Sequence, residues 1–312
     1  MENTKTKARE PRHICLATDG TESQPALVMT LLDSLRRAAF ELSDYRIHML
    51  CDNGESSLGK DFLSFLYAFS ARSGIPIEYH ACKDIALEKM PFLSTPSKLL
   101  RFPVPAWYRF VAADVVEEDR FLYLDTDTLF IRDPKPLFAF DLKNAMVGTV
   151  PDVLMEFNDV TRQWCLDRKF YSPIPEDQTY VASSVLLIDR KRFLESDIVE
   201  RITDFAGKVS DMERHDNNLL SLALKPEEVA FMPLAYHSPI YPFMSVGSQW
   251  EHFLPEVLGR LGYQNKYAFF ADSVTVQLQG DKKSRYFDDP VLGPVMHERV
   301  AAVRHYCFPE WY

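Results

Sequence analysis

Three short apolar segments among the first 82 residues, separated by two stretches of helical spacing, constrain this chain more than any other feature. Residues 13–18 (HICLAT) and 45–51 (YRIHMLC) are runs of strand length, and residues 75–82 alternate well enough for a third strand. After the first, Pro25 leads ALVMTLLDSLRRAAFEL, where Leu27, Leu31, Leu32 and Leu35 share a helical face. After the second, Phe62, Phe65, Leu66 and Phe69 mark another helix, stopped near Gly74. Asp19-Gly20 and Asp52-Asn53-Gly54 close the first two strands with turn chemistry. Strand–helix–strand–helix–strand order predicts an α/β fold with a mostly parallel sheet. No G-x-G-x-x-G follows the first strand, so a dinucleotide site is not indicated.

A chain of 312 residues holds one large α/β domain or two smaller ones, with a core that needs no disulfides. The formal net charge of −10 argues against a nucleic-acid partner, which would call for a basic face. Cys15, Cys51, Cys82, Cys165 and Cys307 are scattered and odd in number, without a C-x-x-C pair, which points to a reducing, cytoplasmic setting. Residues 1–11 are expected to be a flexible N-terminus; they carry no apolar signal core. No apolar stretch reaches the length of a membrane span, so contact with a membrane is expected to be peripheral at most.

Residues 120–133, RFLYLDTDTLFIRD, carry the first chemical signal. An apolar run ends in Asp125-Thr126-Asp127, and open α/β sheets place ligands at the carboxyl ends of their strands. Residues i and i+2 of an extended chain point the same way, so the two carboxylates can converge on one hard cation, Mg²⁺ or Mn²⁺. The same pair is compatible with a solvated strand end. Further along, 91–105 carries four prolines, 106–116 reads as a helix, and 145–150 and 229–232 read as strands. Residues 191–205 read as one amphipathic helix and 214–224 as a short helix with a polar opening. Loops, the segment VTVQLQGDKKSRYF and a helix near 290–303 fill the rest.

The order of these motifs resembles that of glycosyltransferase family 8. LATDG looks like the family's opening strand, and LYLDTDTLF is similar to its metal-binding block. YVASSVLLIDRKRF, HDNNLLSLAL and VQLQGDKK resemble three further blocks, in family order. The resemblance implies a GT-A fold, a Rossmann-like central sheet flanked by helices, with a small acceptor-side extension. It implies a donor-binding catalytic domain over 12–234 and a C-terminal region over 235–312 that completes the site. It also implies retaining transfer of a hexose from a UDP-sugar to a hydroxyl of a glycan, glycolipid or protein. Asp125, Asp127 and Gln277 would hold Mn²⁺ or Mg²⁺. Ala17, Thr18, Asp19, Asp125, Thr126, Ser183, Gly280 and Lys283 would bind the nucleotide sugar. Arg109, Asp216 and Asn217 would act at the transferred sugar.

Four positions depart from the family pattern. Gln277 stands where a histidine is usual, and an amide oxygen holds a hard cation less firmly than imidazole holds Mn²⁺. His237 is the alternative partner for the metal. Glu22 replaces an aromatic, Ala182-Ser183-Ser184 replaces Asn-Ser-Gly, and Asp216-Asn217 replaces Asp-Gln. These changes motivate a second reading, a family member that binds a nucleotide sugar or a partner without transfer. A metal-dependent nucleotidyl- or phosphotransferase is a third.

Overall fold

A computed structural model describes residues 11–20, 24–94, 103–156, 159–169, 171–208, 215–239 and 254–278, with short pieces between 297 and 307. Three strands are laid down early: β1 (Arg12–Ala17), β2 (Tyr45–Glu55) and β3 (Ile77–Ala81). Helices α1 (Gln24–Ala38) and α2 (Lys60–Ser73) connect them. The chain returns as β4 (Arg120–Leu124), β6 (Val147–Thr149), β7 (Val185–Asp189) and β8 (Val229–Phe231). Between β4 and β6 lies a short strand, β5 (Thr128–Phe130), that leaves this sheet. The main sheet runs β3-β2-β1-β4-β7-β6-β8. β7 alone is reversed, pairing antiparallel with β4 and with β6.

The two faces of the sheet follow from the period of two along each strand. Ile14, Leu16, Ile47, Met49, Leu122, Leu124 and Leu187 face one core with residues of α1 and α2. Cys15, Leu50, Phe121, Tyr123, Leu186 and Ile188 face the other. Continuous burial along β1 and β4 is what strands covered on both faces require. Each such Leu or Ile contributes about 1.5–3 kcal/mol by leaving water. All five cysteines are buried, and none is in a disulfide.

A smaller sheet positions the site. β5 pairs antiparallel with β10 (Thr275–Gln277), and β10 pairs parallel with β9 (His237–Pro239). Helix α1 lies between the two sheets, which explains its burial from Leu27 through Leu35. Its Ser34 Oγ accepts from the Phe130 amide at 2.9 Å and so ties β5 down.

Several elements differ from the sequence expectation. Residues 106–116 do not form one α-helix. A 3₁₀ segment, Val104–Phe110, is followed by a single α-helical turn, Ala112–Val115. Pro105 sits in its first turn and Val111 breaks the regular geometry at φ −114°, ψ 4°. The 191–205 helix is two helices, Arg190–Glu195 and Ile198–Ala206. Ser196 turns extended there, its hydroxyl donating to the Phe193 carbonyl at 2.7 Å. That is the local competition that makes serine a boundary residue. Short helices at Leu254–Arg260 and Lys266–Asp272 occupy a stretch read as loops. The terminal helix near 290–303 lies largely outside the described residues. Among the described residues no helix is long and apolar enough to cross a membrane.

Candidate active site

β1 and β4 run parallel and finish side by side, with Leu16 opposite Leu124. Thr18 and Asp19 therefore leave the sheet beside Asp125, at its carboxyl edge. The Gly20 amide donates to Thr18 Oγ1 at 3.1 Å, and Gly20 takes φ +70°, where a side chain would be strained. Ala17 closes β1, and Asp19 is half-buried after it.

Asp125 continues the ladder for one step, its amide donating to the Ser184 carbonyl at 3.0 Å. The chain then turns. The Thr128 amide donates back to the Asp125 carbonyl at 3.1 Å, an i to i+3 contact. Asp125 and Asp127 thus approach each other across a tight turn, and not, as expected, by alternation along an extended strand. Thr126 in the turn donates its hydroxyl to Gln24 Oε1 at 2.8 Å, which fixes the turn to the start of α1. Gln277 arrives on β10 opposite Thr128, and its Nε2 donates to Asp125 Oδ2 and to Asp127 Oδ1, both at 3.3 Å. An amide reverses oxygen and nitrogen by one rotation, after which its oxygen would face the same two carboxylates. Three oxygen donors at one point suit a hard divalent cation. The residues present therefore fit Mn²⁺ or Mg²⁺.

His237 is placed differently. The Thr275 hydroxyl donates to the Tyr236 carbonyl at 2.9 Å, so its lone pair accepts from His237 Nδ1 at 2.8 Å. Nε2 then accepts from the Ser184 hydroxyl at 2.9 Å. Burial pushes the imidazole pKa down to about 4, although Asp127 nearby works the other way. A neutral ring with both nitrogens engaged braces the small sheet against Ser184. Gln277, not His237, meets the carboxylates.

Behind the turn lies an ion network. Arg109 is 3% exposed. Its Nη2 donates to Asp125 Oδ1 at 2.9 Å, its Nη1 to the Ser183 carbonyl at 2.6 Å, and its Nε to the Ala106 carbonyl at 2.8 Å. Nη1 also lies 3.1 Å from Asp216 Oδ2. The guanidinium stacks 4.9 Å from the centre of the Tyr123 ring, whose hydroxyl donates to Asp125 Oδ1 at 3.1 Å. Burial opposes charge on Arg109, but Asp125, Tyr123 and Asp216 outweigh it and raise its pKa. Asp216 shows the converse: burial works against its charge, yet Arg109 and the Ser183 hydroxyl hold its pKa below the usual range.

Ser183 joins the two halves of the site. Its hydroxyl lies 2.8 Å from Asp216 Oδ2 and close to Asn217 Oδ1, and its amide donates to Asn217 Oδ1 at 2.9 Å. The Asn217 oxygen is thereby committed to holding the Ser183 backbone. Its Nδ2 points to Asp152 Oδ2 at 3.4 Å. Asp152 is buried, follows β6, and accepts from the Tyr171 hydroxyl. A small pocket opens here, lined by Val150, Asp152, Ala182, His237, Pro239 and Gln277.

The structure therefore brings Asp125, Asp127, Gln277, Arg109, Asp216, Asn217 and Ser183 into one contiguous set. Gly280, Lys283 and Glu22 lie outside the described residues. Asp152, Tyr171, Tyr123 and Gln24 belong to the site and were not anticipated. Asp152 had a readable signal, because it follows an apolar strand as Asp19 and Asp125 do.

The architecture matches solved structures. A galactosyltransferase, LgtC, solved with donor and acceptor sugar analogues, superposes with a TM-score of 0.67 over 93% of this chain and 95% of that one, at 17% identity. The glycosyltransferase GlyE of Streptococcus pneumoniae TIGR4 gives 0.59 at 16% identity, over 96% of this chain and 64% of that one. The fold is the GT-A fold of LgtC. Glycosyltransferase GlyF of Streptococcus pneumoniae serotype 4 is 46% identical over 48 residues, 15% of this chain and 12% of that protein, so the match spans only a small part of this curated relative. The model of the glycosyl transferase family 8 matches residues 63–259, well over half of the sequence, and the chain belongs to that family.

Proposed function

We propose that the protein is a retaining glycosyltransferase that moves a hexose from a UDP-sugar to an acceptor hydroxyl on a glycan, glycolipid or protein. The observation that carries this reading is the convergence of Asp125, Asp127 and Gln277 directly in front of the Arg109–Asp216 pair. Asp125, Asp127 and, after rotation of its amide, Gln277 would hold Mn²⁺ or Mg²⁺. Such an ion supplies a Lewis acid for the diphosphate leaving group.

The chain's own residues do the rest. Ala17, Thr18 and Asp19 line the end of β1 where the nucleoside would lie, with Thr126 and Ser183 on the donor's other side. Arg109 holds Asp125 in place and keeps Asp216 ionised. Asp216 accepts hydroxyl groups of the transferred sugar. Asn217 acts as a positioning residue, since its oxygen is held by the Ser183 amide, and an amide offers no carboxylate nucleophile. These features support attack on the front face of the sugar. The bond from the anomeric carbon to the diphosphate oxygen breaks, the bond to the acceptor oxygen forms on the same side, and the acceptor proton passes to the diphosphate. Stabilising that leaving charge is the main catalytic effect. Gly280 and Lys283 are assigned to the diphosphate on the family motif. Residues 12–234 form the donor side and 235–312 the acceptor side, and the enzyme acts in the cytoplasm with at most peripheral membrane contact.

A panel of UDP-sugars, assayed for hydrolysis and for Mn²⁺-dependent UDP binding by calorimetry, tests the reading. Asp125→Ala is expected to abolish both while leaving the circular dichroism spectrum unchanged. Substantial turnover in that variant sinks the assignment. One observation favours the second reading, binding without transfer: the donor end of the Gln277 amide already bridges the two carboxylates. UDP binding that ignores Mn²⁺ would support it.

A further inference from the structure

A diagonal across the first three strands, starting at the amino end of β1, carries a cluster that the donor site does not use. Side chains of β1, β2 and β3 there form a ladder of three imidazoles. His13 Nδ1 lies 2.9 Å from His48 Nε2, and His48 Nδ1 lies 2.9 Å from His80 Nε2. Glu118, two residues before β4, places one carboxylate oxygen 3.4 Å from His13 Nδ1 and the other 3.8 Å from His48 Nε2. Seven residues of extended chain separate Glu118 from Asp125, roughly 20 Å at the usual rise.

From this geometry we infer a second metal site, in which His13 Nδ1, His48 Nε2 and the Glu118 carboxylate bind Zn²⁺ or a similar transition-metal ion. The two ring nitrogens lie 2.9 Å apart, and the two Glu118 oxygens lie 3.4 Å from the first and 3.8 Å from the second, respectively. A tetrahedron with metal–ligand bonds of about 2.0–2.1 Å has edges of about 3.3–3.4 Å, so the ion fits between them after small side-chain adjustments. Two imidazoles with one carboxylate select a borderline cation over Mg²⁺ or Ca²⁺. His13 and His48 stand on adjacent paired strands, offset diagonally by two residues, so the pair is held before the ion arrives. With Nε2 on the ion, His48 donates its Nδ1 proton to His80, the outer partner that fixes ring and tautomer in metal-bound histidines. The Glu118 carboxylate lies astride the contact of the His13 and His48 rings, where a cation would be shared by all three groups. The site would pin β1 and β2 to the loop entering β4, leaving the fourth ligand position to water.

This inference is independent of the reading of the donor site. The test is Co²⁺ titration of the full chain after chelator treatment, followed by visible absorption. Four-coordinate Co²⁺ absorbs strongly there, and Co²⁺ among the oxygens of Asp125 and Asp127 does not. One equivalent with the intense band is expected in the wild type and in Asp125→Ala. The band should be lost or shifted at least tenfold in midpoint in His13→Gln and in Glu118→Gln, whose altered carboxylate is a third exposed and tolerates replacement. His80→Gln should weaken binding by about 10–100-fold. Absence of the band from the wild type, or a band unchanged in Glu118→Gln, overturns the site.

Discussion

At the carboxyl end of the strands Arg109 is buried and stays charged, because Asp125 and Asp216 lie against it. Across the first three strands His13 and His48 are buried and His80 is half-buried, and loss of water lowers the pKa of each, outweighing Glu118 and Glu78 at His13 and His80. The same sheet thus meets one problem, an ionisable group removed from solvent, in two ways. Pairing preserves charge, which suits the proposed encounter with a diphosphate. Neutralisation preserves lone pairs, which suits the proposed transition-metal site.

The largest effect should come from taking the pairing away. Arg109→Ala leaves Asp125 and Asp216 without their buried cation, which typically costs about 3–5 kcal/mol. Urea unfolding should show that loss and a transfer assay no measurable turnover; a variant within 1 kcal/mol of wild type, as an approximate threshold, would mean that the network is not coupled.

Acid provides the second contrast. His48 has its pKa lowered from 6.5 to about 3 by burial, and His80 and His13 beside it oppose its protonation further. Below pH 6.5 the unfolded chain binds a proton that the folded one refuses, so stability falls as the pH drops from there toward the folded value. The loss is on the order of 3 kcal/mol by pH 4. His237, lowered to about 4, adds a smaller step of the same sign. Asp216 behaves oppositely in timing: its depressed pKa stabilises the fold above the ordinary carboxylate range and is lost only when the pH falls through the folded value. Metal-free protein should therefore lose stability before its carboxylates titrate. Urea midpoints that stay flat between pH 6.5 and 4 would contradict this, and His48→Gln should flatten the slope.

The smallest expected effect is Ser183→Ala. It removes a hydroxyl from Asp216 while the Ser183 amide keeps its bond to Asn217. A loss of about 1–2 kcal/mol is expected, read by unfolding. KM should rise with little change in the Mn²⁺ dependence. An unaltered KM would show that Asp216 is placed by Arg109 alone.

Much of this was legible in the chain, and the physical reason is burial. Strands covered on both faces read as short apolar runs, so β1, β2 and β4 stood out, as did the parallel order of the first three strands. Helices of one or two turns were harder. The 106–116 and 191–205 stretches carry helical spacing, but Pro105 and Ser196 decide their local geometry. Within the site, Asp125 and Asp127 were found as a pair for a reason only partly right, since a turn and not strand alternation brings them together. Arg109, Ser183, Asp216 and Gln277 became visible through the family motifs; no spacing in the sequence announces a contact across 16, 33 or 150 residues. The histidine ladder was not seen for the same reason. Its members sit on three different strands, and only sheet register aligns them.

The pairing of β5 with β10 has a consequence for how the protein acquires its site. Gln277 and Asp127 are 150 residues apart, whereas β1, β2 and β3 are joined by short crossovers. Local contacts form ahead of distant ones when loop closure limits the rate. The sheet can therefore assemble on its amino-terminal elements while the donor pocket is still open along one wall. Completion of the candidate site is then a late event in folding, gained when the strand carrying Gln277 finds its register; a slip by one residue would turn that amide to the opposite face. A refolding experiment monitored at once by circular dichroism and by UDP binding should show the second signal lagging the first.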